Sequence, residues 1–235
     1  IENVMRRVRG MLGNEIEPFS PLWWQGIVGC FVVVSLILLF FNRASSEWKL
    51  WFTKLLAYSS ILVYMVTHIV AIASKEWNIQ DFLPLHLCTI SFFICIIVLL
   101  TKKQWMYEWV ILLAMSSGLH SVLTPELSRG ISNWYLFEYY FVHCSLMLVP
   151  LYLTLVLDMR PRVASWWKTF LRLQIAVVIV FSFNFFFDTN YMYLTTKPLV
   201  DNPLLIGDWP FYIFFLELFV LLHILVIYKL LPKHI

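Results

Sequence analysis

The sequence predicts an all-α fold: a polytopic membrane helix bundle of about seven transmembrane helices, with the N-terminus outside and the C-terminus cytoplasmic. Three observations carry this. Apolar residues make up 61% of the 235 and charged residues only 13%, where a soluble domain holds about 45–50% and about 25%. Lipid must then be the solvent for most of the surface. The apolar residues gather in runs long enough to span a bilayer, and Lys and Arg divide unequally between alternate loops. The 11 Trp and 11 Tyr, many of them at run ends, fit an interfacial belt.

The elements follow in order. Residues 1–22 form an extracytoplasmic segment before the first run at 23–41. Further runs lie at 50–73, 85–100, 105–123, 134–157, 166–187 and 211–231, the third being the shortest. The transmembrane domain is thus 23–231, and 232–235 is a cytoplasmic tail. The connections are short, as between antiparallel neighbours. The exception is 188–210, which holds Pro198, Pro203 and Pro210. A long loop in a compact protein is more often functional than idle, so this one is expected to cap the outer face. The side with the N-terminal segment carries six of the 17 basic residues and the other side eleven, which makes the second side cytoplasmic.

Polar and ionisable residues inside spans are costly and usually face a bundle interior. In this orientation they gather in the outer half: His68, His86, Cys88, His120, His143, Asn184, Asp188 and Glu217. The plainer readings stand beside this. His68 and His120 also suit an interface, and Cys30, Cys95 and Cys144 suit small core residues with no disulfide framework. Cys88 stands between core filler and reactive thiol. His223 and His234 lie toward the cytoplasmic end and read as structural. On a regular helix His86 and Cys88 point roughly 200° apart, so both reach one site only if the chain near Pro84 is not yet helical.

Five segments carry a family resemblance: FLPLHLC (82–88), LHSVLTPEL (119–127), YYFVHCSLMLVPLYL (139–153), NYMYLTTKP (190–198) and LLIGDWPFYI (204–213). In order and spacing they resemble the YwaF-like bacterial integral membrane proteins. That family is similar to animal transmembrane protein 164 and, more remotely, to the androgen-induced membrane hydrolases. The resemblance spans about residues 50–231 and implies lipid acyl chemistry in a bacterial plasma membrane. The animal relative is an acyltransferase that remodels ether phospholipids with a Cys and a His, and the remoter hydrolases use a Thr and a His. Carried over, the nucleophile is Cys88 and the base His143, with His86 as the other candidate of its motif.

Acyl transfer needs a nucleophile, a base and donors for the oxyanion. By location, Asn184, Asn190 or Tyr191 could donate, Glu217 or Asp188 could orient an imidazole, and His120 could line the substrate site. No cofactor and no metal are expected. The expected partner is a membrane lipid or acyl-chain substrate, and the net charge of +3 points to no nucleic acid. Two other readings compete. Intramembrane His and Glu also serve proton-coupled transporters or channels, and a non-catalytic subunit of a larger complex would need no chemistry.

Overall fold

The computed structural model describes residues 16–127, 129–197 and 205–233. Most of the expected N-terminal segment, part of the expected cap and His234 lie outside these. Seven helices stand among the described residues: α1 Pro21–Asn42, α2 Ser46–Ala73, α3 Leu87–Thr101, α4 Gln104–Leu123, α5 Asn133–Leu155, α6 Ser165–Phe187 and α7 Phe211–Leu230. Six are long and apolar enough to cross a membrane, and α3, with 15 residues, is not. At 1.5 Å per residue α3 reaches about 22 Å of a core about 30 Å thick.

Local chemistry sets the boundaries. Ser20 accepts from the Trp23 N–H at 3.2 Å, and Pro21 takes the first turn of α1. Lys102, left-handed at φ 54°, ends α3, and Lys103 opens α4 at once, so the two form a tight hairpin. α4 contains a π turn, Val110–Ala114, whose five side chains are all buried.

The core lies among α3, α4 and α5, where Phe92, Leu112, Leu113, Leu146 and Leu153 are shut from solvent. The other four helices flank it. In its most apolar stretch α4 is 61% buried, whereas α6 and α7 are 17% and 11% buried and show Ile175, Val178, Phe186, Phe214 and Leu222 outward. Apolar faces this extensive need lipid against them. Thr53, Ser60 and Thr67 of α2 are spaced seven apart and buried, and Thr53 and Thr67 meet Tyr152 and Trp134 of α5. Each hydroxyl bonds the carbonyl four residues back, at 2.7–2.9 Å, so a row of small polar residues enters the bundle satisfied. Trp134 Nε1 adds a 3.2 Å bond to Thr67.

Two expectations are corrected. Cys30 of α1 and Cys144 of α5 are not separate core fillers: they form a disulfide, with Cα atoms 5.6 Å apart across 114 residues. α1 and α5 run parallel there. One turn earlier Gly26 leaves room for the other helix, since a Cβ on it would overlap the Tyr140 hydroxyl. Second, ionisable groups are not confined to one end of the spans. Glu108, in α4 at the opposite end, has a side chain with 0% exposure. Arg162 grips it through Nε (2.7 Å) and Nη2 (2.8 Å). The paired charge explains how a carboxylate is tolerated there.

Candidate active site

α5 supplies one wall. Tyr135, Glu138, Tyr139, Val142 and His143 recur at helical spacing and line a cavity of about 300 Å³. The end of α4 adds His120 and Ser121, and the following loop adds Thr124, Glu126 and Arg129. α4 and α5 approach closely at Gly118, where a Cβ would meet His143 O at 2.9 Å and Leu146 Cβ at 2.8 Å. A larger residue there would push the α4 wall away from His143.

The start of α3 supplies the facing wall. His86 is the N-cap, with extended backbone (φ −70°, ψ 146°), and Cys88 is the second helical residue. Because His86 precedes the first turn, it and Cys88 both reach the cavity, as does Thr89. The first-turn N–H groups of a helix have no partners within it and favour negative charge. The loop leading to this turn is pinned from two sides. Arg129 donates from Nε and Nη2 to Asp81 O (3.3 and 3.2 Å) and from Nη1 to Glu138 (3.0 Å). Tyr191 donates its hydroxyl to Ile79 O (2.6 Å) and accepts from Leu83 N (3.0 Å).

The histidines have assignable tautomers. His143 Nδ1 lies 2.7 Å from Tyr139 O. A carbonyl only accepts, so Nδ1 carries the proton and Nε2 keeps its lone pair. His86 Nδ1 accepts from Met192 N at 3.3 Å, so its proton sits on Nε2. One ring is ready to accept a proton and the other to donate a hydrogen bond. Cys88 Sγ lies 3.5 Å from Ser121 Oγ.

The loop after α6 forms part of the wall. Tyr193 lines the cavity and donates to Glu126 Oε2 at 2.9 Å. Burial, with the Glu126 carboxylate beside it, pushes the Tyr193 hydroxyl up from its ordinary value, so it stays a donor. Leu205 lines the cavity too.

Of the expected site residues, the structure brings together Cys88, His86, His143 and His120. It places the others behind or beside the wall. Asn184 is buried and braces the loop, donating to Tyr191 O (2.8 Å) and accepting from Tyr191 N (2.9 Å) and Thr189 Oγ1 (2.8 Å). Asn190 bonds Thr195 and Thr196, and Asp188 is exposed at the left-handed end of α6. Tyr191 packs its ring 4.9 Å from that of His86 but does not line the cavity. Glu217 turns away to Gln174 Nε2 at 2.6 Å, and its neighbour Leu216 faces the cavity instead. His223, read as purely structural, touches the site: its Nε2 lies 3.2 Å from His120 Nε2. Asp81, Ser121, Glu126, Arg129, Glu138, Tyr139 and Tyr193 are additions of the structure. The helical spacing of 135, 138, 139, 142 and 143 was the available signal for the α5 members.

Seven apolar helices, six of them long enough to cross a bilayer, define a multi-pass membrane protein, and a cavity lined by both polar and apolar side chains opens among α3, α4, α5 and α7. The model of the TMEM164 family matches residues 18–228, and the chain belongs to that family. No curated protein and no solved structure matches it.

Proposed function

We propose that this protein cleaves or transfers a lipid acyl ester, with Cys88 as nucleophile and His143 as base. The observation that carries the reading is the opening of both side chains onto one cavity, with His143 Nε2 left unprotonated by its Nδ1 bond. In this scheme His143 removes the Cys88 proton and the thiolate attacks the ester carbonyl. The oxyanion takes hydrogen bonds from first-turn N–H groups of α3 and from His86 Nε2. The C–O bond breaks, the alkoxide leaves with the proton held by His143, and the acyl group stays on sulfur as a thioester. Water or an acceptor hydroxyl, deprotonated by His143, then takes the acyl group and restores the thiol. In a bacterial plasma membrane the cavity would lie in the outer half, with the N-terminus outside, as the distribution of Lys and Arg favours.

Membership in the TMEM164 family supports a membrane role for the chain. A channel needs an open path through the bundle, yet the α4–α5 segment below the cavity is closed by Val110, Leu112, Leu113, Leu146 and Val149, each at most 1% exposed. That favours an enzyme over an open channel. The test is incubation of purified protein with an acyl-donating lipid probe, an activated acyl ester, read by intact mass and peptide mapping. An acyl adduct on Cys88, lost in Cys88→Ala and slowed in His143→Ala, is the expected result. An adduct that persists in Cys88→Ala moves the nucleophile elsewhere, with Thr89 next to be tried. No adduct and no lipid turnover with any probe would overturn the enzyme reading.

A further inference from the structure

We propose that Tyr139 is the positioning residue for both reacting groups, an inference that rests on the acyl-transfer reading. Three contacts meet in it. Its carbonyl oxygen receives His143 Nδ1–H at 2.7 Å. Its ring packs on the imidazole, with centroids 4.2 Å apart and planes inclined by 45°. Its hydroxyl donates to Ser121 O at 2.6 Å, and the Ser121 hydroxyl lies 3.5 Å from Cys88 Sγ. One residue thus touches the base directly and the nucleophile through one intermediary.

The three contacts are separable. The carbonyl bond belongs to the backbone of α5 and survives substitution, so the tautomer of His143 is set whatever stands at 139. The ring limits rotation of the imidazole and so aims Nε2. The hydroxyl ties the last turn of α4, just before the helix ends at Leu123, to α5. Gly118 brings the two backbones together one turn earlier, and the Tyr139–Ser121 bond is the next restraint toward the cavity. Loosening it lets Ser121 drift from the thiol. Tyr139 is not itself placed to react, because its hydroxyl is already committed to a carbonyl.

The test uses full-length protein in detergent, with Tyr139→Phe keeping the ring and Tyr139→Ala removing ring and hydroxyl. Two readouts are taken: acylation of Cys88 by the lipid probe as a function of probe concentration, and alkylation of Cys88 by N-ethylmaleimide, followed by peptide mass. The second needs no turnover. The maximal acylation rate should fall about tenfold in Tyr139→Phe and about a hundredfold in Tyr139→Ala, as misplacement of reacting groups does. The half-saturating probe concentration should stay put, and alkylation should fall in the same order. Two results would overturn the proposal: wild-type rates in both variants, or an unchanged maximal rate with a raised half-saturating concentration, which would make Tyr139 only a wall of the binding site. If wild-type protein forms no acyl adduct but alkylation still follows Tyr, Phe, Ala, then Tyr139 positions the thiol and the acyl-transfer reading alone falls. Should Tyr139→Ala fail to fold, Tyr139→Phe decides by the same criteria.

Discussion

The two ends of α4 make opposite use of polar residues. At its start, Glu108, Gln104, Tyr107, Arg160 and Arg162 face one another. Glu108 takes two bonds from the Arg162 guanidinium and a third from its backbone N–H at 3.2 Å. Gln104 spans to Arg160 O at 2.7 Å, and the Tyr107 hydroxyl meets Thr154 at 2.9 Å and Met159 O at 2.8 Å. That cluster spends its hydrogen bonds on itself and fixes the turn between α5 and α6. At the other end, about 18 Å along the helix, His120 and Ser121 share a cavity with Cys88, His86 and His143. There the histidines are tied at one nitrogen and present the other. A polar cluster closed on itself stabilises; one that opens onto a cavity is available for chemistry.

The largest expected effect tests the closed end. Arg162→Ala leaves the Glu108 carboxylate buried without its partner and should cost about 3–5 kcal/mol, seen as a drop in thermal midpoint with Cys88 labelling retained in the folded fraction. Glu108→Gln should cost much less, because the Arg162 side chain is 49% exposed and can turn to water. Equal losses would show that the pair matters for its packing and not its charge.

Next comes the clamp on α1. Replacing Cys30 by Ser removes a crosslink across 114 residues and should lower stability by about 2–4 kcal/mol, the usual range for a native disulfide. Denaturing the wild type with and without reductant should reproduce the difference. If reductant changes nothing, the two cysteines are not bridged in the purified protein.

The open end answers in rate and not in stability. His143→Ala should slow acylation of Cys88 by about 10²-fold, or about 2.7 kcal/mol of barrier, while moving the thermal midpoint little. A midpoint loss as large as that of Arg162→Ala would make His143 a structural group and erase the contrast between the ends. The smallest effect joins stability and rate. Gly118→Ala forces the α4 and α5 backbones apart and should cost about 1–3 kcal/mol, with a fall in Cys88 acylation because the cavity wall moves with α4. Full activity in this variant would show that the close approach at 118 is not needed for the site.

Much of this was legible in the sequence because membrane depth is written in hydropathy. The seven runs, the shortness of the third and the clustering of His86, Cys88, His120 and His143 follow from it. Pro84 also gave the condition under which His86 and Cys88 could share a site, and the extended N-cap at His86 meets it. Rotation about a helix axis is harder to read. α7 has no continuous polar stripe, so nothing in its pattern told that Leu216 and not Glu217 faces the cavity, though adjacent residues differ by about 100°. Cys30 and Cys144 sit in separate apolar runs, and no local spacing announces a bridge between them. Glu108 lies near a run end, where a carboxylate reads as interfacial until Arg162 is seen to fold back over it. Tyr139 opens the segment YYFVHCSLMLVPLYL, but its link to Ser121 is a tertiary fact.

The π turn at Val110–Ala114 sits between the two ends of α4. A π turn is the form a helix takes when it absorbs one residue that its regular ladder cannot hold. The extra residue is taken up inside the turn, so the helix on either side keeps the direction it would have without it. Wound as a regular helix, the same residues would carry His120 and Ser121 about 100° further round relative to Glu108. With Glu108 anchored by Arg162, His120 and Ser121 face Cys88 because one residue of a wholly apolar stretch is held out of the regular count.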